Sequence, residues 1–438
     1  MDFPEAFTQQ MQSLLGQSEW QAMLAALEQK PSVSIRVNPF KGTKEQLAIL
    51  NSQFSISSVQ WSSMGKYLSE RPDFTLDPAF HAGAYYVQEA SSMFLEQAVR
   101  QCPTPQVVLD LCAAPGGKST LLRSLLPDDT LLVANEPIKS RANILRENII
   151  KWGHEGTVVT CNYPKDFAKL GPTFDIIVVD APCSGEGMFR KDNPALEMWS
   201  PANVELCAER QREIVETIWP TLNPGGHLIY STCTYNTREN EENVRYFCQT
   251  LGAQTVEIPV KPEWNITGSL LPDFPEPVYR FMPHKTRGEG FFLAMIKKEG
   301  TLISKPHPHP KPDLDDNVQC SMLNVQCLIN SLHQPIISRL IKHLYPLHMG
   351  IAVSEKKGNK TLPHHSLAMS RNLSPDAYPT ADLTLEQALS YLRHEAIRID
   401  GPKGYTIVRY NGMPLGFVNN LGNRANNLYP AEWRIRRV

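Results

Sequence analysis

Short apolar runs, each adjoining an amphipathic stretch, dominate the middle of the chain and predict alternating strands and helices. The apolar runs are VVLDL (107–111), LLVANE (131–136), TVVT (157–160), FDIIVVDAPC (174–183) and GGHLIYSTCT (225–234). Helical patterns follow the first two runs, and another, VELCAERQREIVETIWPTL, precedes the last. The almost continuous apolar character of FDIIVVDAPC is typical of a strand buried on both faces. This order predicts an α/β fold with a doubly wound, mostly parallel sheet, whose ligands gather at the carboxyl ends of the strands.

The chain on either side of this region has other patterns. Apolar positions at helical spacing predict two amphipathic helices near the N-terminus, and SVSIRVNPF (32–40) alternates as a strand does. KPHPHPKPDLDD (305–316) is a Pro-rich stretch typical of a linker, followed by helix-like segments near 321–345. GYTIVRYNGMPLGFV predicts a hairpin with Asn411-Gly412 at its turn. We therefore expect four parts: a small α+β lobe (1–75), a central α/β domain (76–298), a linker and helical connector (299–345), and a β-rich C-terminal domain (346–438).

Composition and charge restrict the kind of protein. The 438 residues include 43 Lys and Arg against 45 Asp and Glu, so any surface that binds a polyanion must be local. From Tyr391 onwards there are eight Lys or Arg against three acids, which places the expected basic surface at the C-terminal end. The nine cysteines form no C-x-x-C pair, and the sequence contains neither a signal peptide nor a long apolar run. We expect a cytoplasmic protein with reduced thiols, no metal site, no membrane segment and, because no coiled-coil seam is evident, a monomeric state.

The stretch DLCAAPGGKST (110–120) lies between the first predicted strand and its helix. Its GKS ending resembles a triphosphate-binding loop, but Cys112 occupies the position where that loop requires its first glycine. What remains is a tight turn of small residues that lets a ligand approach the backbone closely. Glu136 ends the next strand about twenty residues further on, where a carboxylate accepts hydrogen bonds from ribose hydroxyls. This spacing favours an adenosine-containing cofactor such as S-adenosylmethionine, the other interpretation being that Glu136 is a solvated strand-end acid.

Two cysteines, Cys183 and Cys233, each follow a predicted strand at the same edge of the sheet. A single strand-end cysteine is more often a small buried hydrophobe, but two beside a cofactor site indicate covalent chemistry. A thiolate that adds to carbon 6 of a pyrimidine makes carbon 5 nucleophilic enough to accept a methyl group. Such a thiolate needs a nearby cation or helix N-terminus. An acid such as Asp180 is needed at the base edge, and the target base must be extruded from its stack.

These residues resemble the motifs of the Sun-type RNA cytosine-5 methyltransferases, and within them the bacterial ribosomal small-subunit RNA methyltransferase F group. The similar stretches occur in the family's order: FHAGAYYVQEASSM (80–93), LDLCAAPGGKST (109–120), NEP (135–137), DAPCSGEGMFRKD (180–192), YSTCTYNTRENEENV (230–244) and RFMPHKTRGEGFFLAMIK (280–297). The resemblance implies a Rossmann-like methyltransferase core that uses S-adenosyl-L-methionine to methylate carbon 5 of cytosine in 16S ribosomal RNA.

The resemblance also implies roles for individual residues. Cys233 is the attacking nucleophile, Cys183 assists release of the product, and Asp180 lies near the methionine end of the cofactor and the target base. Lys191 is similar to a lysine that lines the family's target pocket; otherwise it is a surface lysine. The implied cofactor contacts are Cys112, Ala113, Ala114, Pro115, Gly116, Gly117, Lys118, Glu136, Arg141 and Asp180. Where the family carries an acid for the adenine, this chain has Asn162 or Tyr163, with Asp166 a few residues on, and the adenine contact stays open among them.

Both ends of the chain resemble RNA-binding parts of this group. LPHHSLAMS (362–370) and residues 404–436 look like a PUA-like domain, and SIRVNPFK looks like the N-terminal RNA-binding lobe. The implied RNA-binding residues are Arg36 and Asn38 in the lobe and Arg424 and Arg434 in the C-terminal domain. A solvated charge is the alternative interpretation for each arginine. Asparagines near 419 and 426 stand where lysines are usual, so phosphate contacts there are fewer.

Four other functions remain open from the sequence. The same chemistry on transfer RNA is the nearest, and the appended C-terminal domain favours ribosomal RNA only by analogy. Cys112 opposes a P-loop NTPase. The pair Cys183 and Cys233 opposes a catalytically silent RNA-binding assembly factor, which has no use for either thiol. An enzyme that methylates an amino nitrogen would carry a second proline where Cys183 stands. The expected partner is 16S ribosomal RNA or the small ribosomal subunit.

Overall fold

The computed structural model describes residues 3–41, 55–102, 104–191, 193–302, 314–320 and 325–436. Four β-sheets organise these residues: a small sheet near the N-terminus, a large central sheet, and two four-stranded sheets towards the C-terminus. The histidines of the Pro-rich stretch, His307 and His309, lie outside the described residues. None of the helices in the described ranges is long and apolar enough to cross a lipid bilayer.

The N-terminal lobe combines one long helix with a four-stranded sheet. Its elements are α1 (Glu5–Leu27), β1 (Val33–Val37), β2 (Ile56–Ser58), β3 (Gly65–Leu68), α2 (Pro78–His81) and β4 (Tyr85–Val87), with the strands in the order β2-β3-β1-β4. The backbone of α1 leaves helical geometry at Gly16, where φ is 74°, so two helical segments meet there as the apolar pattern predicts. The sheet extends past residue 75, the expected end of the lobe, because β4 pairs with β1.

The central domain is the α/β unit that the sequence predicts. Its strands are β5 (Val107–Asp110), β6 (Leu131–Asn135), β7 (Thr157–Thr160), β8 (Phe174–Asp180), β9 (Leu222–Thr232), β10 (Gln254–Thr255), β11 (Tyr279–Phe281) and β12 (Phe291–Lys297). Its helices are α3 (Leu95–Val99), α4 (Gly117–Leu125), α5 (Lys139–Trp152), α6 (Pro164–Phe167), α7 (Asn193–Met198), α8 (Pro201–Ile218) and α9 (Glu241–Leu251).

Strands β5 to β9 are parallel to one another and lie in the order β9-β8-β5-β6-β7. Strand β12 adds antiparallel to β9, with β10 and β11 paired to it. Alternate residues of the middle strands pack on opposite faces: Val108 and Ile176 belong to one buried cluster, and Leu109 and Ile177 to another. Burial on both faces explains why these strands appear as continuous apolar runs.

The connector differs from the sequence prediction. Residues near 321–345 have a helix-like pattern, but the structure forms β13 (Leu314–Cys320) and β14 (Val325–Asn330) before the short helix α10 (Gln334–Leu340). The helix-like pattern is therefore misleading at 325–330, where β14 pairs with strands on both sides and buries Cys327 and Ile329, while the helix near 334–340 is present. β15 (Pro346–Met349) then joins the central sheet beside β7, while β16 (Ile351–Lys357) and β17 (Lys360–Pro363) complete the connector sheet.

The C-terminal domain is built on a second small sheet. Its elements are α11 (His365–Met369), β18 (Thr380–Asp382), α12 (Leu385–Leu392), β19 (Gly404–Tyr410), β20 (Met413–Asn420) and β21 (Ala425–Asn427). The predicted hairpin joins β19 to β20, and both turn residues have positive φ, 49° at Asn411 and 75° at Gly412. Two consecutive residues with positive φ match the right-handed twist of the strands, which is why Asn-Gly predicts this turn.

Arg36 and Asn38 do not lie on an RNA-facing surface, which corrects their expected role. Both are fully buried. The Arg36 guanidinium donates to Gln88 Oε1 at 2.8 Å and to Thr120 Oγ1 at 2.6 Å, and it lies 4.5 Å from the centre of the Trp152 ring. Asn38 donates through its amide to the Gly83 and Trp152 carbonyls. These polar residues join the N-terminal lobe to α4 and α5 of the central domain, because a buried guanidinium requires partners for its donors.

We expect Arg36→Ala to lower the free energy of unfolding by about 2–4 kcal/mol, because it leaves several buried acceptors without their donor. Chemical denaturation of the full chain measures this loss. Arg71→Ala, which removes an exposed arginine of the same lobe, is the control and should change stability little. An Arg36→Ala variant with unchanged stability but weakened RNA binding would restore the surface role.

Candidate active site

The carboxyl ends of β5, β6, β8 and β9 bring the predicted site residues to one edge of the central sheet. The register of β8 and β9 places Asp180 beside Ser231. Ser231 donates its hydroxyl to Asp180 Oδ1 at 2.7 Å. Asp180 Oδ2 forms a salt bridge with Lys118 Nζ at 2.8 Å, and Lys118 lies in the first turn of α4. The end of β8 and the start of α4, which are far apart in sequence, thus share one ion pair.

The small-residue turn between β5 and α4 is held from outside by its neighbours. The Ala113 N–H donates to the Asn135 carbonyl at 2.8 Å. Arg141 donates to the Ala114 carbonyl at 3.1 Å, and Asn148 donates to the Pro115 carbonyl at 2.8 Å. Gly116 has a φ of 118°, a region where an L side chain is strained, so this position of the turn requires glycine. Within the turn Pro115 is exposed and Gly117 is half-buried at the N-terminus of α4.

Three carboxylates surround the start of this turn. Asp110 is fully buried, its Oδ2 accepts the Ser119 hydroxyl at 2.6 Å, and its Oδ1 has no hydrogen-bond partner among the described residues. Burial raises the pKa of Asp110 to about 7, and the charges of Asp180 and Glu136 also raise it, against the Ser119 hydrogen bond. A cationic ligand would relieve this repulsion, so the edge suits a ligand that carries positive charge. The sequence analysis missed Asp110, although it precedes the turn directly.

Glu136 lies at the end of β6, at the predicted ribose position. It is buried, and Oε1 accepts the Ile138 N–H at 3.1 Å. Arg141 Nη1 lies 3.4 Å from Oε2, so the arginine links Glu136 to the small-residue turn. A carboxylate that is anchored through one oxygen keeps lone pairs directed towards a ligand at the strand end.

The candidates for the adenine contact, Asn162, Tyr163 and Asp166, have different surroundings. The amide of Asn162 is buried, and its Oδ1 accepts the Tyr345 N–H at 2.8 Å. Tyr163 exposes 60% of its surface, and its N–H donates to Asp166 Oδ2 at 3.0 Å. The Asn162 side chain is therefore hydrogen-bonded to the backbone just before β15, while the exposed ring of Tyr163 can lie against a planar ligand. Which of the three residues contacts adenine stays open.

Cys183 and Cys233 meet at the ends of β8 and β9. Their sulfur atoms are 3.2 Å apart, and the Cys233 N–H points at Cys183 Sγ at 3.4 Å. The two loops are joined again by Ser184 Oγ and Thr234 Oγ1, which are 2.9 Å apart. Gly187 donates its N–H to the Cys233 carbonyl at 2.9 Å, and a Cβ at Gly187 would lie 2.9 Å from that oxygen. Glycine is thus required at position 187, where the loop after β8 passes the Cys233 carbonyl.

The protonation of these groups follows from their surroundings. The hydrogen bond with Cys233, followed by burial, raises the pKa of the Cys183 thiol, so it stays protonated at neutral pH. Burial lowers the pKa of Lys118, but Asp180, followed by Asp110 and Cys233, outweighs burial and raises that pKa above its usual value. The site therefore combines a protonated Cys183 thiol with a lysine that stays charged at neutral pH.

Beneath the cysteines lies a buried polar network that the sequence analysis did not identify. Glu186 accepts the N–H groups of Tyr235 and Asn236 at 2.7 and 2.9 Å. Glu239 accepts the Ser184 N–H at 3.0 Å and the Asn236 amide at 2.8 Å. The motifs SGEG and YNTRENEE contain these residues, but nothing in their spacing shows that they face each other across two loops. The network fixes both loops and hence the distance between the sulfurs.

The remaining predicted residues lie further out. Lys191 Nζ is 3.1 Å from Glu289 Oε1, and its side chain is 32% exposed on the loop after Gly187. Arg424 and Arg434 are exposed on the C-terminal domain, consistent with a surface role, and their contact with RNA remains a prediction.

Comparison with known proteins agrees with this geometry. Residues 100–297 match the family 16S rRNA methyltransferase RsmB/F, residues 3–90 match the N-terminal domain of 16S rRNA methyltransferase RsmF, and residues 378–435 match the methyltransferase RsmF PUA domain. The chain is 30% identical to ribosomal RNA small subunit methyltransferase F of Erwinia tasmaniensis over 98% of this chain and 96% of the relative. A relative of the same name from Shewanella sp. strain W3-18-1 has the same identity and coverage.

Solved structures support the fold. A methyltransferase homolog from Pyrococcus horikoshii superposes with a TM-score of 0.59 at 26% identity, covering 68% of this chain and 95% of that one. NSun6 from Pyrococcus horikoshii, determined with SFG, superposes with a TM-score of 0.58 at 23% identity over 68% of this chain and 99% of that one. The family matches, the full-length relatives and the fold lead to one conclusion: the chain belongs to the ribosomal RNA small subunit methyltransferase F family and is an S-adenosylmethionine-dependent RNA methyltransferase.

Proposed function

We propose that this enzyme methylates carbon 5 of cytosine in 16S ribosomal RNA through a covalent bond between Cys233 Sγ and carbon 6, with Cys183 assisting release. The observation that carries the proposal is the 3.2 Å separation of the two sulfurs at the same strand edge as the Lys118–Asp180 ion pair. The names of the relatives support a small-subunit ribosomal RNA substrate. A binding protein would gain nothing from two thiols placed at the ligand edge of the sheet.

The residues of the strand edge fit S-adenosylmethionine. Its sulfonium and ammonium groups are cationic, and the unpartnered Asp110 Oδ1 lies at an edge that contains two more carboxylates. Glu136 would hold the ribose, and the turn around Gly116 would let the backbone approach the cofactor closely. The bound cofactor supplies the methyl group that carbon 5 accepts.

The chain's own groups account for the other steps. The Cys233 thiolate adds to carbon 6. The electron pair of the carbon 5–carbon 6 double bond then shifts towards carbon 4, and negative charge accumulates at nitrogen 3 and the carbonyl. Lys118 and Asp180 stand at that edge as a charged pair: Lys118 can donate a hydrogen bond to the cytosine, and Asp180 can accept one from it. Carbon 5 would gain the methyl group while the cofactor's sulfur keeps the electron pair of the broken bond. Water or a side chain would then accept the carbon 5 proton, the carbon 5–carbon 6 double bond re-forms, and the Cys233 sulfur leaves as a thiolate. Lys191 is a candidate lining residue of the pocket.

Cys183 acts on the leaving sulfur in this scheme. Because its pKa is raised, it is a thiol that donates S–H towards Cys233 Sγ at neutral pH. A hydrogen bond to a departing thiolate stabilises the charge that develops as the carbon–sulfur bond breaks. Addition needs no such donor, so loss of Cys183 affects elimination more than attack.

We also propose that the enzyme acts as a monomer in the cytoplasm. All residues assigned above to the cofactor and the target base belong to one chain, so the site needs no second copy, and ribosomal RNA is a cytoplasmic substrate.

The first test compares RNA from cells with and without this gene, the deletion being complemented by the wild type, Cys233→Ala or Cys248→Ala. Mass spectrometry of ribosomal and transfer RNA fragments should show loss of a methyl group from at least one small-subunit cytosine in the deletion and with Cys233→Ala, because the nucleophile is missing. Cys248→Ala, which alters a cysteine outside the site, should restore methylation. Loss confined to transfer RNA would replace the substrate, and no loss anywhere would contradict the enzymatic proposal.

A second prediction concerns Cys183→Ala. Incubated with substrate RNA and cofactor, it should accumulate a protein–RNA adduct that survives denaturing electrophoresis, while turnover falls by roughly a hundredfold or more. The double variant Cys183→Ala/Cys233→Ala is the control and should form no adduct, because the attacking sulfur is gone. An unchanged turnover with no slowly migrating species would remove Cys183 from the mechanism.

A third prediction follows from Asp110. A cationic cofactor favours the carboxylate, so below the Asp110 pKa of about 7 binding must release a proton. Cofactor affinity should therefore rise with pH from 6 to 8, and calorimetry in two buffers of different ionisation enthalpy should detect proton release. Asp110→Asn, which keeps the shape of the side chain, should bind more weakly and lose this part of the pH dependence. The same pH dependence in both proteins would show that Asp110 does not sense the cofactor.

A further inference from the structure

A cavity lies away from the cysteines, between the central domain, the connector sheet and the C-terminal domain. Its volume is about 610 Å³, within the range of small-molecule sites. The walls come from α5, from β16 and β17, from α11 and from the segment after β21. Arg146 of α5 lines it, five residues beyond Arg141, which contacts the small-residue turn. At 1.5 Å per residue, the two side chains start about 7.5 Å apart along the helix axis.

Among the residues that line this cavity, several buried polar atoms have no hydrogen-bond partner within the described part of the chain. They are both ring nitrogens of His365, Tyr429 Oη, Arg146 Nε and His394 Nδ1. His365 is only 7% exposed and Tyr429 only 2%. Unpaired buried polar atoms are costly and uncommon, so several around one cavity indicate a ligand with complementary donors and acceptors.

The cavity walls contain aromatic rings and neutral imidazoles, which are side chains that bind planar heterocycles. The His365 ring makes edge contacts with the rings of Tyr429 and Trp433, at 5.4 and 5.1 Å between centres. Burial lowers the pKa of His364 to about 4 and that of His365 well below its usual value, so both imidazoles are neutral at physiological pH. A neutral imidazole offers one donor and one acceptor, as the edge of a nucleobase requires.

Charge at the rim is balanced. Arg146 lies 4.0 Å from Glu432, and Lys357 pairs with Glu355 at 2.8 Å. Such a rim does not suit a highly charged ligand. The Arg146 guanidinium is only loosely paired with Glu432. It can therefore bind one phosphate of a ligand whose uncharged part lies inside the cavity.

We propose that this cavity binds one unstacked nucleotide of the substrate RNA, with the base against the aromatic wall and its phosphate at Arg146. The inference rests on the proposed function only in taking the partner to be RNA. Single-stranded nucleotides are read in this way, by stacking on aromatic side chains and by hydrogen bonds to base edges. Because α5 contacts the cofactor turn on one side and this cavity on the other, a nucleotide held here would position the strand that carries the target cytosine.

The first experiment labels the full chain with 5-fluorotryptophan and follows the fluorine resonance of Trp433, one of seven tryptophans, assigned from its absence in Trp433→Phe. A short single-stranded RNA of mixed sequence should shift this resonance, whereas a duplex of the same sequence should not, because its bases stay stacked. If Trp433 stays unmoved at RNA concentrations that saturate binding, or responds to free nucleoside monophosphates but not to RNA, the inference is wrong.

The second experiment uses Tyr429→Phe, which removes only the unpartnered hydroxyl. Affinity for the single-stranded RNA, measured by fluorescence anisotropy, should fall by roughly tenfold while the thermal midpoint stays the same or rises. Tyr391→Phe is the matched control: its hydroxyl donates to the Phe417 carbonyl at 3.1 Å, so this variant should lose stability and keep its RNA affinity. Wild-type affinity in Tyr429→Phe would overturn the inference.

Both measurements report binding without methylation. A shifted Trp433 resonance and a weakened Tyr429→Phe, in a protein that methylates no ribosomal cytosine, would support the cavity and overturn only the proposed reaction. Cytosine methylation with a silent Trp433 and an unaffected Tyr429→Phe would do the reverse.

Discussion

Parallel pairing of β8 with β9 is the constraint on which the functional edge depends. The pairing sets Asp180 opposite Ser231 and brings the loops after both strands side by side, so that Cys183 and Cys233, fifty residues apart, place their sulfurs 3.2 Å from each other. No local sequence preference achieves this. Hydrogen bonds of the sheet, reinforced by apolar packing on both of its faces and by the polar network of Glu186 and Glu239 beneath the loops, hold the two chain segments at that distance.

That edge carries a cost in stability. Asp110, Glu186 and Glu239 are buried, and burial raises the pKa values of Asp110 and Glu239 above their usual range. Glu186 and Glu239 accept hydrogen bonds from backbone N–H groups of the two cysteine loops, which ties the loops together. Among the described residues Asp110 Oδ1 has no hydrogen-bond partner, as expected of a group that a ligand completes.

The domains are joined by polar contacts and by shared sheet edges. Arg36 connects the N-terminal lobe to α4, and Gln10 of α1 donates to Glu186 at 3.0 Å, so the lobe also supports the network beneath the cysteines. At the opposite edge, β15 extends the central sheet before the chain enters the C-terminal domain. The N-terminal lobe and the C-terminal part of the chain are thus attached to the central domain by buried polar contacts on one side and by a shared sheet on the other.

The sequence by itself determined the central α/β fold and the strand ends, and it singled out the small-residue turn, Cys183 and Cys233 as candidates, because apolar period and short motifs are local properties of the chain. Tertiary structure decided what local patterns do not encode. Arg36, an expected surface contact, is buried between the N-terminal lobe and the central domain. The segment of β14, whose pattern looked helical, is a strand because it pairs on both sides. Burial and pairing depend on residues distant in sequence, and for that reason only the folded chain defines them.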